Sequence, residues 1–408
     1  MNIRIKPHLL TGNIEAVPSK SQAHRVLLAA ALTALQSGQE TEFRISGVSE
    51  DVGTTARCVK AIREAAAAPG KPLVIDCGES GTTLRFLLPV CAALGIDTTF
   101  TGHGRLPARP LSPLREEMER HGVTFSDPAD TGSSAAASIC RIQGRLNGGE
   151  FRLAGNVSSQ FISGLFFALP LLNESGSVVI TTELESTHYI DMTLDVLREF
   201  GIVIELTKKG PDGIGNTYIA AGGQHFVSPG TVEPEGDWSN AAFWLAADSL
   251  GSDIGITGLS LGSSQGDKEI LRIIRDLDSS DVIDAKNIPD LVPVIAVLAA
   301  VKPGTRTITN AARLRLKESD RLASMAKCLG ALGADISERP EGLIIRGTGK
   351  LSGGTADGCG DHRVIMALAI AATVADGPVI IKGAEAVAKS YPGFFRDFRR
   401  LGGLAEQI

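Results

Sequence analysis

Basic and hydroxyl-bearing residues recur at one kind of place in this chain, the first turn of an almost wholly apolar stretch. Lys20 and Arg25 open SKSQAHRVLLAAAL (19–32), Arg85 opens SGTTLRFLLPVCAAL (80–94), and Arg363 opens DHRVIMALAIAATV (361–374). The start of a helix carries free N–H groups and partial positive charge, so cations added there make a place for phosphate or carboxylate groups. A second cluster, LKESDRL (316–322), mixes signs. Read as the start of a helix, it puts Glu318 and Arg321 on one face with Lys317 beside them. The net charge of −6 argues against a nucleic-acid-binding surface and leaves positive charge to a local pocket.

The elements that must hold these residues repeat six times. Besides the three stretches above, SSQFISGLFFALPLL (158–172), DWSNAAFWLAA (237–247) and DLVPVIAVLAAV (290–301) follow the same plan. A polar residue able to cap free N–H groups precedes a run that is apolar on all sides and must therefore be buried. Each is accompanied by a segment with apolar residues three, four or seven apart, which marks a one-sided helix. These are Val52, Ala56, Val59 and Ile62; Leu111, Leu114 and Met118; Ile190, Leu194 and Leu197; Ile270, Ile273, Ile274 and Leu277; Leu322, Met325, Leu329 and Leu332; and Phe394, Phe398 and Leu401. Glycines followed by short β-like runs, GVTF (122–125) and GIVIEL (201–206), end two of them. The reading is an α/β chain of six similar units, three to a domain, which suits 408 residues. TVEPEGDWSN (231–240) is the expected crossover between domains.

Apolar residues make up 43% of the chain and charged residues 21%, a globular composition. MNIRIKPHLLTGN reads as a strand and not a signal peptide, and no apolar run reaches the roughly 18 residues of a membrane helix. Six scattered cysteines without a CxxC pair point to a reducing cytosol, where most serve as small core residues. Seven histidines show no metal-ligand spacing. If the buried helices of each domain run parallel, their N-termini converge, and physical inference ends at a polyanion-binding protein of two domains.

Seven motifs carry the reading further. PSKSQAHR (18–25), SGTTLRF (80–86), SSQF (158–161), IPD (288–290), LKESDRL (316–322), DHRVIMAL (361–368) and AKSYPGF (388–394), in that order, resemble the enolpyruvyl transferases that act as 5-enolpyruvylshikimate-3-phosphate synthases. The resemblance implies two similar α/β domains, each of three βαβαββ units with buried parallel helices, an inside-out α/β barrel. It implies that residues 1–18 join 236–408 in one domain, that 19–235 form the other, and that the active site lies in the cleft. The implied reaction moves the enolpyruvyl group of phosphoenolpyruvate to the 5-hydroxyl of shikimate 3-phosphate through a tetrahedral intermediate, with no cofactor and no metal. The expected partners are these two small molecules, without nucleic acid or membrane. The protein is expected to be a cytoplasmic monomer and a target of glyphosate.

The same resemblance assigns roles one position at a time. Lys20, Asp290 and Glu318 are the expected catalytic groups. Phosphoenolpyruvate is expected to meet Lys20, Gly81, Thr82, Arg109, Gln160, Arg321, His362, Arg363 and Lys389. Shikimate 3-phosphate is expected to meet Lys20, Ser21, Arg25, Ser158, Ser159, Gln160, Ser186, Tyr189, Asp290 and Lys317. The chemistry agrees with the residue types, since arginine forks pair with carboxylates and a glycine lets backbone approach an anion. Two positions depart from the pattern: Glu79 stands where many members carry asparagine, and Arg313 where some do. The related transferase acting on UDP-N-acetylglucosamine typically has a reactive cysteine just ahead of the ARP-like segment, and TGHGRLPARP (101–110) has none. A non-catalytic phospho-ligand-binding protein would need the arginines but not a desolvated Lys20 and Glu318.

Overall fold

A computed structural model describes residues 1–68, 70–126 and 136–408. The chain divides into two compact units. The first comprises Met1–Ser19, Ser46–Glu50 and Glu235–Ile408, and the second comprises Lys20–Ile45 and Asp51–Pro234.

Buried and one-sided helices alternate along the described chain. The second unit holds α1 (Lys20–Ser37), most of α2 (Glu50–Ala67), α3 (Gly81–Leu94), α4 (Leu114–Arg120), α5 (Ser159–Ala168) and α6 (Thr187–Glu199). The first holds α7 (Trp238–Ser249), α8 (Ile270–Asp276), α9 (Val292–Val301), α10 (Arg321–Gly330), α11 (His362–Thr373) and α12 (Phe394–Arg400). The odd-numbered helices are the apolar stretches read from sequence. In α11 every residue is buried, and in α9 only Val301 is not. Side-chain caps start four of them: Ser80 accepts from Thr83, Ser158 from Gln160, Asp237 from Asn240 and Asp361 from Arg363. Several expected boundaries move. Leu111 lies ahead of α4, and the chain enters α9 through a 3₁₀ turn, Pro289–Leu291.

Among the described residues, each unit carries two four-stranded sheets and one two-stranded sheet. In the second unit one sheet runs Leu73–Asp76, Thr98–Gly102, Ala137–Gly144, Val123–Ser126, its first pair parallel and the others antiparallel. The sheet of Val282–Asp284, Gly304–Thr309, Gly342–Gly347 and Asp335–Arg339 in the first unit repeats that order and those directions. The N-terminal segment forms two strands. Strand β1 (Asn2–Lys6) lies between Val379–Lys382 and Leu404–Gln407, and Thr11–Glu15 pairs in parallel with Asp253–Thr257. Two hydrophobic cores result, one drawn from residues 3–14 and 238–401 and the other from residues 26–232.

Candidate active site

In the second unit the first turns of α1, α3 and α5 meet, because polar side chains at these starts hold one another. Arg25, 2% exposed, donates from Nε to Thr193 Oγ1 (2.8 Å), from Nη1 to the Ser21 carbonyl (2.7 Å) and from Nη2 to the Tyr189 carbonyl (2.8 Å). It also sits 5.2 Å from the Phe86 ring centre and 5.9 Å from that of Tyr189. Burial pushes this guanidinium down to about 10. So one arginine ties α1 to α6 and to the Tyr189 backbone.

A second chain of contacts joins α3 to α5. Arg85 Nη1 donates to Gln160 Oε1 (2.7 Å), and Gln160 Nε2 donates to Thr82 Oγ1 (2.7 Å). Both ends of the Gln160 amide are thereby used. Ser158 caps α5, Ser159 is buried beside it, and Ser186 is held at φ 55°, a left-handed conformation that is uncommon for serine. The Arg109 guanidinium lies directly over Gly81: a methyl group there would come within 2.6 Å of Nη1. The Glu79 carboxylate lies beside Gly104, where an added Cβ would come within 3.1 Å of Oε1.

Lys20, at the start of α1, donates to Asp51 Oδ2 at 2.9 Å, both side chains being largely buried. Close by, His24 Nδ1 meets Thr55 Oγ1 (2.7 Å), Thr55 meets Thr83 (2.6 Å), and Thr83 donates to Ser80 Oγ (2.7 Å). With the Thr83 proton directed at Ser80, Thr55 donates to Thr83 and His24 Nδ1 donates to Thr55. Burial, with Lys20 and Arg25 adding positive charge, holds His24 well below its ordinary value, so the ring is neutral at pH 7. Sequence reading overlooked Asp51, Thr55 and Thr83, because each acts on a residue distant in the chain.

In the first unit the starts of α7, α9 and α11 meet in the same way. Arg321, 1% exposed, donates from Nε to Asp361 Oδ2 (2.8 Å), from Nη1 to Asp290 Oδ1 (2.7 Å) and from Nη2 to Glu318 Oε2 (2.8 Å). Arg363 Nη2 reaches Asp290 Oδ2 (3.0 Å), and its Nη1 reaches the Ser239 carbonyl on α7 (3.4 Å). Lys317 Nζ lies 3.9 Å from Asp290. Lys389 Nζ donates to the Gly360 carbonyl (2.7 Å), and His362 is buried at the first position of α11. Lys317 and Glu318 are not helical, contrary to the expected helix start. Asp320 caps α10 by accepting from Ala323 N (3.1 Å), so the helix begins only at Arg321. The Glu318–Arg321 contact survives because the guanidinium reaches back across the cap.

Charge balance sets the titration of this cluster. Burial pushes Asp290 up, but Arg363, Lys317 and Arg321 outweigh it and hold the carboxylate well below its ordinary range. Burial lowers Lys317 to about 8 against the pull of Asp290. Burial also works against the Arg321 charge, yet Asp361, Glu318 and Asp290 raise it well above its usual value. A further buried carboxyl, Asp267, hydrogen-bonds with Ser239 and is pushed up to about 7 by burial and by Asp290. Asp267 and Asp361 were missing from the expected set. Each resembles an ordinary cap or turn acid in sequence, and only packing puts it beside Asp290 or Arg321.

Each unit thus holds cations, hydroxyls and helix starts at one place, with ionised carboxylates concentrated in the first. Such an arrangement can clamp phosphate and carboxylate groups and exchange protons with a bound anion. No helix among the described residues is long and apolar enough to cross a membrane. The sequence profile of EPSP synthase (3-phosphoshikimate 1-carboxyvinyltransferase) matches residues 5–398. The chain is 39% identical to the 3-phosphoshikimate 1-carboxyvinyltransferase of Clostridium novyi, the match covering 100% of this chain and 98% of the relative. It is 37% identical to that of Clostridioides difficile, with the same shares covered. Among solved structures, the EPSP synthase of Acinetobacter baumannii superposes with a TM-score of 0.75 at 22% identity, each chain covered in full. The enolpyruvyl transferase NikO of Streptomyces tendae superposes with 0.72 at 16% identity, over 100% of this chain and 98% of that one. At these identities the two structures establish the fold, two similar α/β domains of the enolpyruvyl transferase kind. The full-length match to the sequence profile, together with relatives well above 30% identity, establishes that the chain belongs to the EPSP synthase (3-phosphoshikimate 1-carboxyvinyltransferase) family.

Proposed function

We propose that this enzyme transfers the enolpyruvyl group of phosphoenolpyruvate to the 5-hydroxyl of shikimate 3-phosphate, with release of phosphate, as a step toward the aromatic amino acids. The observation that carries the assignment of roles is Asp290, an ionised carboxylate ringed by Arg321, Arg363 and Lys317. In the free protein these cations make Asp290 a weak base. When the carboxylate of phosphoenolpyruvate engages Arg363, Asp290 loses a counter-ion and its affinity for a proton rises. It then accepts the proton of the attacking hydroxyl, while Glu318 and Lys20 serve the methylene carbon and the departing phosphate.

Gly81, Thr82, Arg109, Gln160, His362, Arg363 and Lys389 are assigned to phosphoenolpyruvate. Ser21, Arg25, Ser158, Ser159, Gln160, Ser186, Tyr189 and Lys317 are assigned to shikimate 3-phosphate. Arg25 and Arg321 already have their nitrogens engaged, so they reach substrate by exchanging one partner. The expected division, 1–18 with 236–408 against 19–235, belongs to the same proposal. So does a monomer working in the cytoplasm, for which gel filtration with light scattering is the check on the monomer.

The test is phosphate release with phosphoenolpyruvate and either shikimate 3-phosphate or UDP-N-acetylglucosamine, in wild type and Glu318→Ala. Release with shikimate 3-phosphate alone, reduced about 10²- to 10⁴-fold in the variant, is the expected result for a general acid–base group. Release with the nucleotide sugar, or an unimpaired variant, would overturn the substrate or the role.

A further inference from the structure

Two cysteines of the first unit meet although they are far apart in sequence. Cys328 lies on α10, and Cys359 occupies the turn between Gly354–Asp357 and α11. Cys328 Sγ is 3.0 Å and Cys359 Sγ 3.4 Å from the same Asp357 carbonyl oxygen, which brings the two sulfurs together. One face of α10 supplies the surroundings. Ser324, Lys327 and Cys328 are spaced i, i+3 and i+4, and Lys327 adds a positive charge near Cys359.

The backbone presents Cys359 in a fixed pose. Its φ is 55°, and its N–H donates to Asp357 Oδ1 at 2.7 Å. The side chain is half-buried, whereas the other five cysteines are buried. The neighbouring Cys328 thiol, opposed by burial and aided by Ser324, lowers the Cys359 thiol to about 6, while Cys328 is pushed up. The partly exposed thiol is therefore the more acidic of the two. The second unit provides an internal contrast. Cys58 and Cys77 are both buried, and burial pushes Cys77 well up.

We propose that Cys359 and Cys328 form an oxidation site for hydroperoxides that closes to an intramolecular disulfide. The Cys359 thiolate attacks one peroxide oxygen and breaks the O–O bond, giving a sulfenic acid and an alkoxide or hydroxide that takes up a proton. Cys328 Sγ then attacks that sulfur, its proton leaves with the hydroxyl as water, and the S–S bond forms. Two thiols and one hydroperoxide thus become a disulfide, an alcohol or water, and a further water. Enolpyruvyl transfer uses neither sulfur, so this chemistry is separate from the proposed activity.

Hydrogen peroxide with the full-length reduced protein tests it by mass spectrometry. The expected product is lighter by two hydrogens, and its digest joins the peptides of Cys328 and Cys359. Cys328→Ser stops at a dimedone-trapped sulfenic acid on Cys359, and Cys359→Ser slows oxidation at least ten-fold. In the wild type the rate rises with a midpoint near pH 6 instead of the roughly 8.5 of a free thiol, a readout that needs no variant. A link between Cys58 and Cys77, an equally fast Cys359→Ser, a free-thiol pH midpoint, or no product under conditions that oxidise free cysteine would overturn the proposal.

Discussion

Arg321 is engaged on three sides by Asp361, Asp290 and Glu318, so its neighbours Arg363 and Lys317 are better placed to respond to a ligand. Lys317 titrates at about 8 because burial costs its ammonium group hydration. Below that pH it is charged and attracts an anion, and as pH rises through 8 the charge is lost. We therefore expect KM for shikimate 3-phosphate to rise between pH 7 and 9. Lys317→Arg, which stays charged, should flatten that rise, and an unchanged pH dependence would remove Lys317 from the substrate site. Gly81→Ala tests the opposite unit. Its methyl group would meet the Arg109 guanidinium at 2.6 Å, so the arginine must swing away from its present place. We expect KM for phosphoenolpyruvate to increase about ten-fold, equivalent to roughly 1.4 kcal/mol of binding, without loss of fold. An unaltered KM would show that Arg109 does not work from that position.

At the level of elements, α3 and α5 show how close packing sets up the site. Pro89 lies inside α3 and has no N–H to give the Arg85 carbonyl one turn back. Against that carbonyl sits Gly164 of α5, where a Cβ would run into the oxygen and come within 3.0 Å of the Pro89 ring. Gly164→Ala should therefore cost about 1–3 kcal/mol by overpacking and lower the thermal midpoint by roughly 2–12 °C. It should also disturb the Arg85–Gln160–Thr82 chain, and a calorimetric midpoint within a degree of wild type would contradict this. The six apolar helices and their one-sided companions were legible in sequence, because each is a continuous segment with its own period and cap. Boundaries slipped where a cap lay inside a charged run, as at Asp320, or where a proline imposed a 3₁₀ turn, as before α9. The long-range contacts were not legible. Lys20 with Asp51, Arg321 with Asp361, and Cys328 with Cys359 each depend on two segments whose separation in sequence carries no signal. The motifs named the cations and two of the carboxylates, Asp290 and Glu318, while packing added Asp51, Asp267 and Asp361.

On the scale of the whole molecule, each core is drawn from its own unit. The core of the second unit uses only residues between Val26 and Val232. A fragment of residues 20–234 should consequently fold alone, with a single cooperative circular-dichroism melt. A fragment of 235–408 should not, since its sheet would lack β1, the strand between Val379–Lys382 and Leu404–Gln407. The reverse pattern of melts would refute the division. The position of β1 also fixes an order of events at the ribosome. It is translated well before both of its neighbours, Val379–Lys382 and Leu404–Gln407. At typical elongation rates the nascent chain carries an unpaired Ile3 and Ile5 for about 20 to 80 s, while the 20–234 segment emerges and completes its own core. This enzyme therefore matures from the middle outward, and a ribosome that stalls late leaves a finished second unit tethered to a first unit that cannot close.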